Sequence, residues 1–195
     1  MLDDIFLNPT LFLMSMIERS LVILKPKAVS GWHMWEIISR FERIWLKIIA
    51  GKLIHADSEM VGRHYPDDRA EWIKWMWQRG IDNYTQFGMS IMDDFGTDDP
   101  HTVGMQVRNW LIEMMTSDLV FVTVMEWPHA IEVIRKLVWH TLPLSAAPGT
   151  IRWDFSYDSA YLANMERRPI DNLIHASGNP EEAAYEVNIR FPELT

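Results

Sequence analysis

The chain of 195 residues carries 18 lysines and arginines against 27 aspartates and glutamates, a formal charge of −9, and has no cysteine. That length suits one domain with a self-sufficient core, and the missing thiols exclude disulfides and thiolate metal sites and fit a reducing compartment. The acidic balance argues against a general nucleic-acid or anionic-membrane surface, so any phosphate ligand must be held by a local cluster of cations.

No apolar run is long enough to span a bilayer. The N-terminal Ile5-Phe6-Leu7 and Leu11-Phe12-Leu13-Met14 follow Asp3 and Asp4 and are split by Pro9, which fits a secretory signal poorly. A cytoplasmic protein is expected, with no membrane partner and no nucleic-acid partner.

Ser20-Leu21-Val22-Ile23-Leu24, closed by Lys25-Pro26, predicts a central strand buried on both faces. Glu36 to Ile44 carries Ile37, Ile38, Phe41 and Ile44 at helical spacing. Ile48 to His55 predicts a second strand with a bulge near Gly51. Leu119 to Met125 is the clearest strand, and Ala130, Ile131, Val133, Ile134, Leu137 and Val138 form a helical stripe after it. Asp171 to Ala176 predicts a fourth strand. Asn179 as cap, Pro180 at the first helical position, and Glu181 and Glu182 in the first turn start the last helix.

The order strand, helix, strand, strand, helix, strand predicts an α/β (α+β) ferredoxin-like βαββαβ fold, an antiparallel sheet with helices on its faces. Between Tyr65 and Ser117 lies text outside that scheme. Pro66 to Gln78 has helical character, Asn83 to Asp94 is ambiguous, and Gly96 to Pro100 is turn text. Thr102 to Thr116 is an amphipathic helix. A helical insertion at about 66–116 within the same domain is expected, because it has too few apolar residues to bury a core of its own.

Chemistry gathers late in the chain. Asn172-Leu173-Ile174-His175-Ala176-Ser177 ends a strand on a histidine, Ala147-Pro148-Gly149-Thr150-Ile151-Arg152 delivers an arginine from a rigid turn, and Pro180-Glu181-Glu182 opens a helix downstream. A histidine at a strand end with arginines and small polar groups nearby is what phosphate chemistry at a nitrogen nucleophile requires. Each residue also has a plain structural use: His175 as a hydrogen-bonded core histidine, Lys25 as a solvated strand-end lysine, Arg135 as a surface arginine, Arg152 as a brace for the Pro-Gly turn.

Three segments together change that balance. Glu18-Arg19-Ser20-Leu21-Val22-Ile23-Leu24-Lys25-Pro26, Pro148-Gly149-Thr150-Ile151-Arg152 and Asn172-Leu173-Ile174-His175-Ala176-Ser177, in this order, with the helix stripe ending in Arg135 and Thr141 between them, resemble the nucleoside diphosphate kinase family. The resemblance runs from Ile17 to Leu194, apart from the helical insertion. It implies a ping-pong transfer in which His175 takes the γ-phosphate of a nucleoside triphosphate and passes it to a nucleoside diphosphate. Such a transfer needs positioning and charge stabilisation above all. By the same resemblance Glu186 orients the histidine and Lys25 contacts the transferring phosphate. Thr141 and Arg152 bind phosphate, Arg135 joins them, Asn172 meets the sugar hydroxyl, Tyr65 stands beside the site, and Ser177 lies near the histidine–glutamate pair. Mg2+ would be carried by the nucleotide phosphates, with no protein metal ligand. A homo-oligomer, hexamer or tetramer, is implied. The alternative is a catalytically impaired nucleotide-binding, oligomeric interaction module of the same fold. An unrelated ferredoxin-like small-molecule sensor is the third.

The sequence departs from the family in several places. Ala176 and Gly178 replace a glycine and an acidic residue, and no paired phenylalanine site for the base is visible, although Tyr84 or Phe87 could substitute. Trp32, Trp35, Trp45, Trp127, Trp139 and Trp153 fall where the family has glycine. Glycine serves at left-handed angles and close approaches, where an indole is its worst steric replacement. The coincidence is expected if these codons are UGA in an organism that reads UGA as glycine. Trp75 and Trp77 could share that origin, whereas Trp72 and Trp110 read as genuine. Family members begin just before the first strand, so Met16 is a natural start and residues 1–15 an N-terminal extension.

Overall fold

The computed structural model describes residues 16–68 and 70–194; the expected extension over 1–15 lies outside them. Four strands form one sheet: β1 (Ile17–Leu24), β2 (Lys47–His55), β3 (Leu119–Pro128) and β4 (Ile174–Ala176). Their order is β2-β3-β1-β4, and every neighbouring pair is antiparallel. This is the ferredoxin-like arrangement read from the sequence.

The central strand is apolar throughout because both its faces are covered. Val22 and Leu24 point to one side and pack with Ile37, Phe41, Met125, Ile134, Ile151 and Ile174. Leu21 and Ile23 point to the other and pack with Val61, Met115, Val122, Val124, Val187 and Phe191. A strand with a period of two thus serves two cores. On the first face lie α1 (Pro26–Ser30), α2 (Met34–Glu42) and the helix that follows β3. On the second lies α3 (Ser58–His64), whose N-cap Asp57 accepts from the Met60 amide at 2.7 Å.

Three further helices follow: α4 (Ala70–Gln86), α5 (Ile91–Phe95) and α6 (Pro100–Thr116). The expected helix from Pro66 to Gln78 therefore starts later and runs on to Gln86. Ile73, Trp77, Ile81 and Tyr84 keep the helical spacing through Gly80, and Tyr84 closes a small cluster with Ile91 and Val103. Gly104 lets α6 approach α4 closely, since a Cβ there would lie 2.7 Å from the Ile73 carbonyl oxygen.

After β3 come α7 (Ala130–Val138), α8 (Ile151–Phe155) and α9 (Ala160–Met165), then β4 and α10 (Pro180–Arg190). The last helix starts as expected, with the Asn179 side chain accepting from the Glu182 amide at 2.9 Å. The bulge in β2 falls between Ile48 and Ala50, beside the glycine that suggested it. The fourth strand is shorter than Asp171 to Ala176. Leu173 takes φ 62, in the left-handed region, and that angle ends the extended run. Among the described residues no helix is long and apolar enough to cross a membrane.

Candidate active site

Register decides which way the histidine points. His175 stands opposite Ile23 in β1, so its side chain shares the face of Ile23, while Ile174 and Ala176 go with the other core. On that face α10 presents Ala183, Glu186, Val187 and Arg190, all buried and spaced as one helical stripe. A carboxylate is thereby carried to the imidazole. The His175 Nε2 lies 2.8 Å from Glu186 Oε1, and the Ser177 hydroxyl donates to Oε2 at 2.6 Å. Ser177 is itself fixed to β1, accepting from the Leu21 amide at 3.1 Å and donating its own amide to the Leu21 carbonyl at 3.1 Å.

Burial pushes the Glu186 carboxyl up, but the His175 charge and hydrogen bond, then His64 and Ser177, outweigh it and hold it at about 2. An ionised carboxylate can only accept, so Nε2 is the donor in this contact and Nδ1 faces away from it. His64, with its side chain almost fully buried, packs edge-on against His175 at 4.5 Å between ring centres. Desolvation brings its pKa down to about 3, so it stays neutral beside the pair.

Lys25 leaves the end of β1 and is buried, not solvated. Desolvation first, and the Arg152 charge second, lower it to about 7. Its Nζ donates to Asn172 Oδ1 at 2.8 Å, and the Asn172 amide donates to the Thr141 carbonyl at 3.1 Å. These three line one cavity of about 220 Å³, with Arg79, Asn83, Tyr84, Trp110 and Arg168 among the other walls. The loop leading to Asn172 is stapled by Asp158, which accepts two bonds from Arg168 and one from the Asp171 amide.

Arg152, on α8, is buried and spends its donors on three carbonyls: Nε to Asn172 at 3.3 Å, one terminal nitrogen to Ile174 at 2.7 Å and the other to His140 at 3.1 Å. Desolvation, then the Arg135 charge, lower it to about 10. Arg135 lies over the Trp139 ring at 5.1 Å and lines a separate cavity with Glu132, Lys136 and Thr150. Tyr65 sits behind the histidine pair, edge-on to His64 at 4.7 Å and stacked on Trp72 at 5.8 Å; burial raises its phenol, and Glu186 adds to that.

The structure thus gathers His175, Glu186 and Ser177 in one hydrogen-bonded group, with Tyr65 behind it across His64. Lys25, Thr141 and Asn172 form a second group, tied to the first through Arg152. Arg135 alone opens onto another cavity. Sequence reasoning passed over His64 and Arg190. Both lie next to signals it did use, one beside Tyr65 and the other four residues beyond Glu186 on the same helical stripe.

A histidine hydrogen-bonded to a buried carboxylate, with a buried lysine and arginine close by, has the make-up of a phosphotransferase. The family model for nucleoside diphosphate kinase matches residues 18–88 and 101–195. The nucleoside diphosphate kinase of Pyrobaculum aerophilum is 44% identical over 177 residues, 91% of this chain and 96% of that protein. That of Borreliella burgdorferi is 33% identical over 178 residues, 91% and 89% of the two chains. The crystal structure of an NDP kinase from Pyrobaculum aerophilum superposes with a TM-score of 0.87 at 43% identity, covering 90% of this chain and 96% of that one. A Borrelia burgdorferi nucleoside-diphosphate kinase, solved as a transition-state mimic with bound vanadate and ADP, gives 0.70 at 33% identity, covering 91% and 88%. The chain belongs to the nucleoside diphosphate kinase family of phosphotransferases.

Proposed function

We propose that this protein transfers the γ-phosphate of a nucleoside triphosphate to a nucleoside diphosphate in two half-reactions through a phosphohistidine on His175, in the cytoplasm. The observation that carries the reading is the 2.8 Å contact between His175 Nε2 and a Glu186 carboxylate fixed by Ser177. The Nδ1 lone pair attacks the γ-phosphorus, an N–P bond forms, and the bond to the bridging oxygen breaks. The diphosphate leaves with that electron pair. The proton stays on Nε2, where Glu186 balances the charge that develops on the ring. A second diphosphate then attacks the phosphohistidine and reverses these steps, returning the lone pair to Nδ1.

Lys25 meets the transferring phosphate, with Arg152 and Thr141 on the tail and Asn172 on the sugar; Arg135 and Tyr65 act at the margin. The helical segment 66–116 belongs to the same domain as the sheet and supplies the outer wall of the nucleotide cavity. Mg2+ enters with the nucleotide. Among the described residues the cluster that could hold a metal ion is His64, His175 and Glu186. That set is rich in nitrogen and already hydrogen-bonded, whereas Mg2+ takes oxygen ligands and keeps its waters. The family resemblance further supports a homo-oligomer, tetramer or hexamer, which light scattering on the purified protein measures directly.

Incubation with γ-labelled ATP tests the reading. The protein acquires an acid-labile, base-stable phosphoryl group, and His175→Ala acquires none. ATP binding without labelling of the wild type would overturn the transfer and leave a nucleotide-binding module.

A further inference from the structure

The turn that delivers His175 is strained. Leu173, buried at 4% exposure, has φ 62, and the Ile174 amide donates to the Asn172 carbonyl at 2.7 Å, closing a three-residue turn around it. A branched side chain at a left-handed angle is costly and persists only where its surroundings over-determine it. The Arg152 guanidinium provides that, because it donates to the carbonyl before Leu173 and to the carbonyl after it. A third bond, to the His140 carbonyl, fixes the arginine to the loop after α7. Asn172, the first residue of the turn, also anchors Lys25. One planar fork thus spans the turn on which both the lysine and the histidine depend.

We propose that Arg152 is a positioning residue for His175: it clamps the left-handed turn at Leu173 and so sets the direction from which the imidazole meets the phosphoryl group. This rests on His175 being the nucleophile. The guanidinium has five N–H donors and three are committed to carbonyls, so a contact to phosphate would use the two that remain.

The test compares wild type, Arg152→Ala and the double variant Arg152→Ala/Leu173→Gly, measuring the labelling rate from γ-labelled ATP across nucleotide concentrations. Glycine takes the left-handed angle without a clamp. Arg152→Ala is expected to lower the maximal labelling rate by about tenfold or more, the scale of a misaligned reactant. The double variant regains much of that rate while its nucleotide KM stays raised. A raised KM with an unchanged maximal rate in Arg152→Ala overturns the proposal. So does a double variant no faster than the single one, because glycine cannot replace a charge on the nucleotide. If Arg152→Ala does not fold, Arg152→Lys keeps a cation but cannot span both carbonyls, and the same rescue is read in that background. An unlabelled wild type would instead overturn the nucleophile reading.

A second inference stands on different residues. At the end of α1 the Trp32 amide donates to the Val29 carbonyl at 3.3 Å and the His33 amide to that of Ala28 at 3.2 Å. At the end of α2 the Trp45 amide donates to Glu42 at 3.0 Å and the Leu46 amide to Phe41 at 3.3 Å. Both are Schellman motifs, with tryptophan at the left-handed position, φ 63 and φ 67, that glycine occupies by preference. Neither indole gains by it: they are 92% and 76% exposed. By contrast Trp72 stacks on Tyr65 and Trp110 packs on Phe95, and Trp77, grouped above with the glycine positions, instead donates to the Asp98 carbonyl as a working indole does.

We infer that the natural protein carries glycine at positions 32 and 45, the two tryptophans at left-handed angles. Peptide mass spectrometry of the protein from its natural source is expected to find glycine at 32 and 45, and tryptophan there overturns the inference. In the recombinant protein Trp32→Gly and Trp45→Gly are each expected to raise Tm by about 2–4 °C, the shift for relieving one strained residue in a chain of this size. An unchanged or lowered Tm would overturn the conformational argument.

Discussion

The sheet end around His175 and the helical segment between α3 and β3 are built on different principles. At the sheet end the polar groups are buried and fix one another: Glu186 by His175 and Ser177, Ser177 by Leu21, Asn172 by Lys25 and Arg152. The helical segment is tied to the second sheet core by Met115 near the end of α6, but its outer part rests on a small separate cluster of Tyr84, Ile91 and Val103 and on the close approach of α6 to α4 at Gly104. In the proposed mechanism one region holds the reacting atoms, and the other closes a wall over them. Changes in the first are therefore expected to stop chemistry, and changes in the second to alter binding and stability.

The largest effect is expected from His175→Ala, which removes the lone pair proposed to form the N–P bond. Turnover of nucleoside diphosphate falls by at least ~10³-fold with the fold intact, as when a nucleophile is deleted from any covalent mechanism. Coupled-assay kinetics and circular dichroism check it together. Next comes Glu186→Gln. The amide keeps the shape but offers no charge to the imidazolium that develops, and the labelling rate is expected to fall by about 10²-fold. A loss there comparable with a helical-segment variant would erase the distinction between the two regions.

Much of this division is legible in the sequence, for reasons that differ by element. β1 and β3 read as continuous apolar runs because both their faces are buried, and α7 reads from its stripe because one face is. The start of α10 reads from capping chemistry at Asn179 and Pro180. The short helices α3, α8 and α9 span 7, 5 and 6 residues, too few for a helical period to emerge, although the caps Asp57 and Ser159 are local signals. Leu173 is illegible in principle. Leucine carries no preference for a left-handed angle, and the clamp that imposes it comes from Arg152, 21 positions earlier in a chain that reads there only as a turn. The candidate site residues were drawn as a set from the family motifs, whereas the use of Arg152 on three carbonyls and the burial of Lys25 depend on tertiary packing and were not legible.

Lys25 gives the third prediction, through pH. Desolvation and the Arg152 charge hold its free-enzyme pKa at about 7, and in the proposed role only the ammonium form attracts the γ-phosphate. As pH rises through that value the charged fraction is lost, so kcat/KM, which reports free-enzyme ionisations, is expected to fall by about tenfold per unit above it. Lys25→Met should be slower throughout and lack that descending limb. A limb that persists in Lys25→Met would assign it to another group.

The smallest effect on chemistry is expected in the helical segment, at Gly104→Ala. The added methyl meets the Ile73 backbone of α4 at 2.7 Å, and backbone cannot swing aside as a side-chain tip does, so α4 and α6 must separate. Overpacking of this kind costs about 1–3 kcal/mol, or a Tm lowered by several degrees. Because α4 and α6 line the proposed nucleotide cavity through Arg79, Asn83 and Trp110, the nucleotide KM should rise a few-fold. The maximal labelling rate of His175 should stay near wild type, since none of the groups that hold the imidazole lies on either helix. A fall in that rate matching the fall in Tm would mean that the wall and the reacting centre melt as one unit.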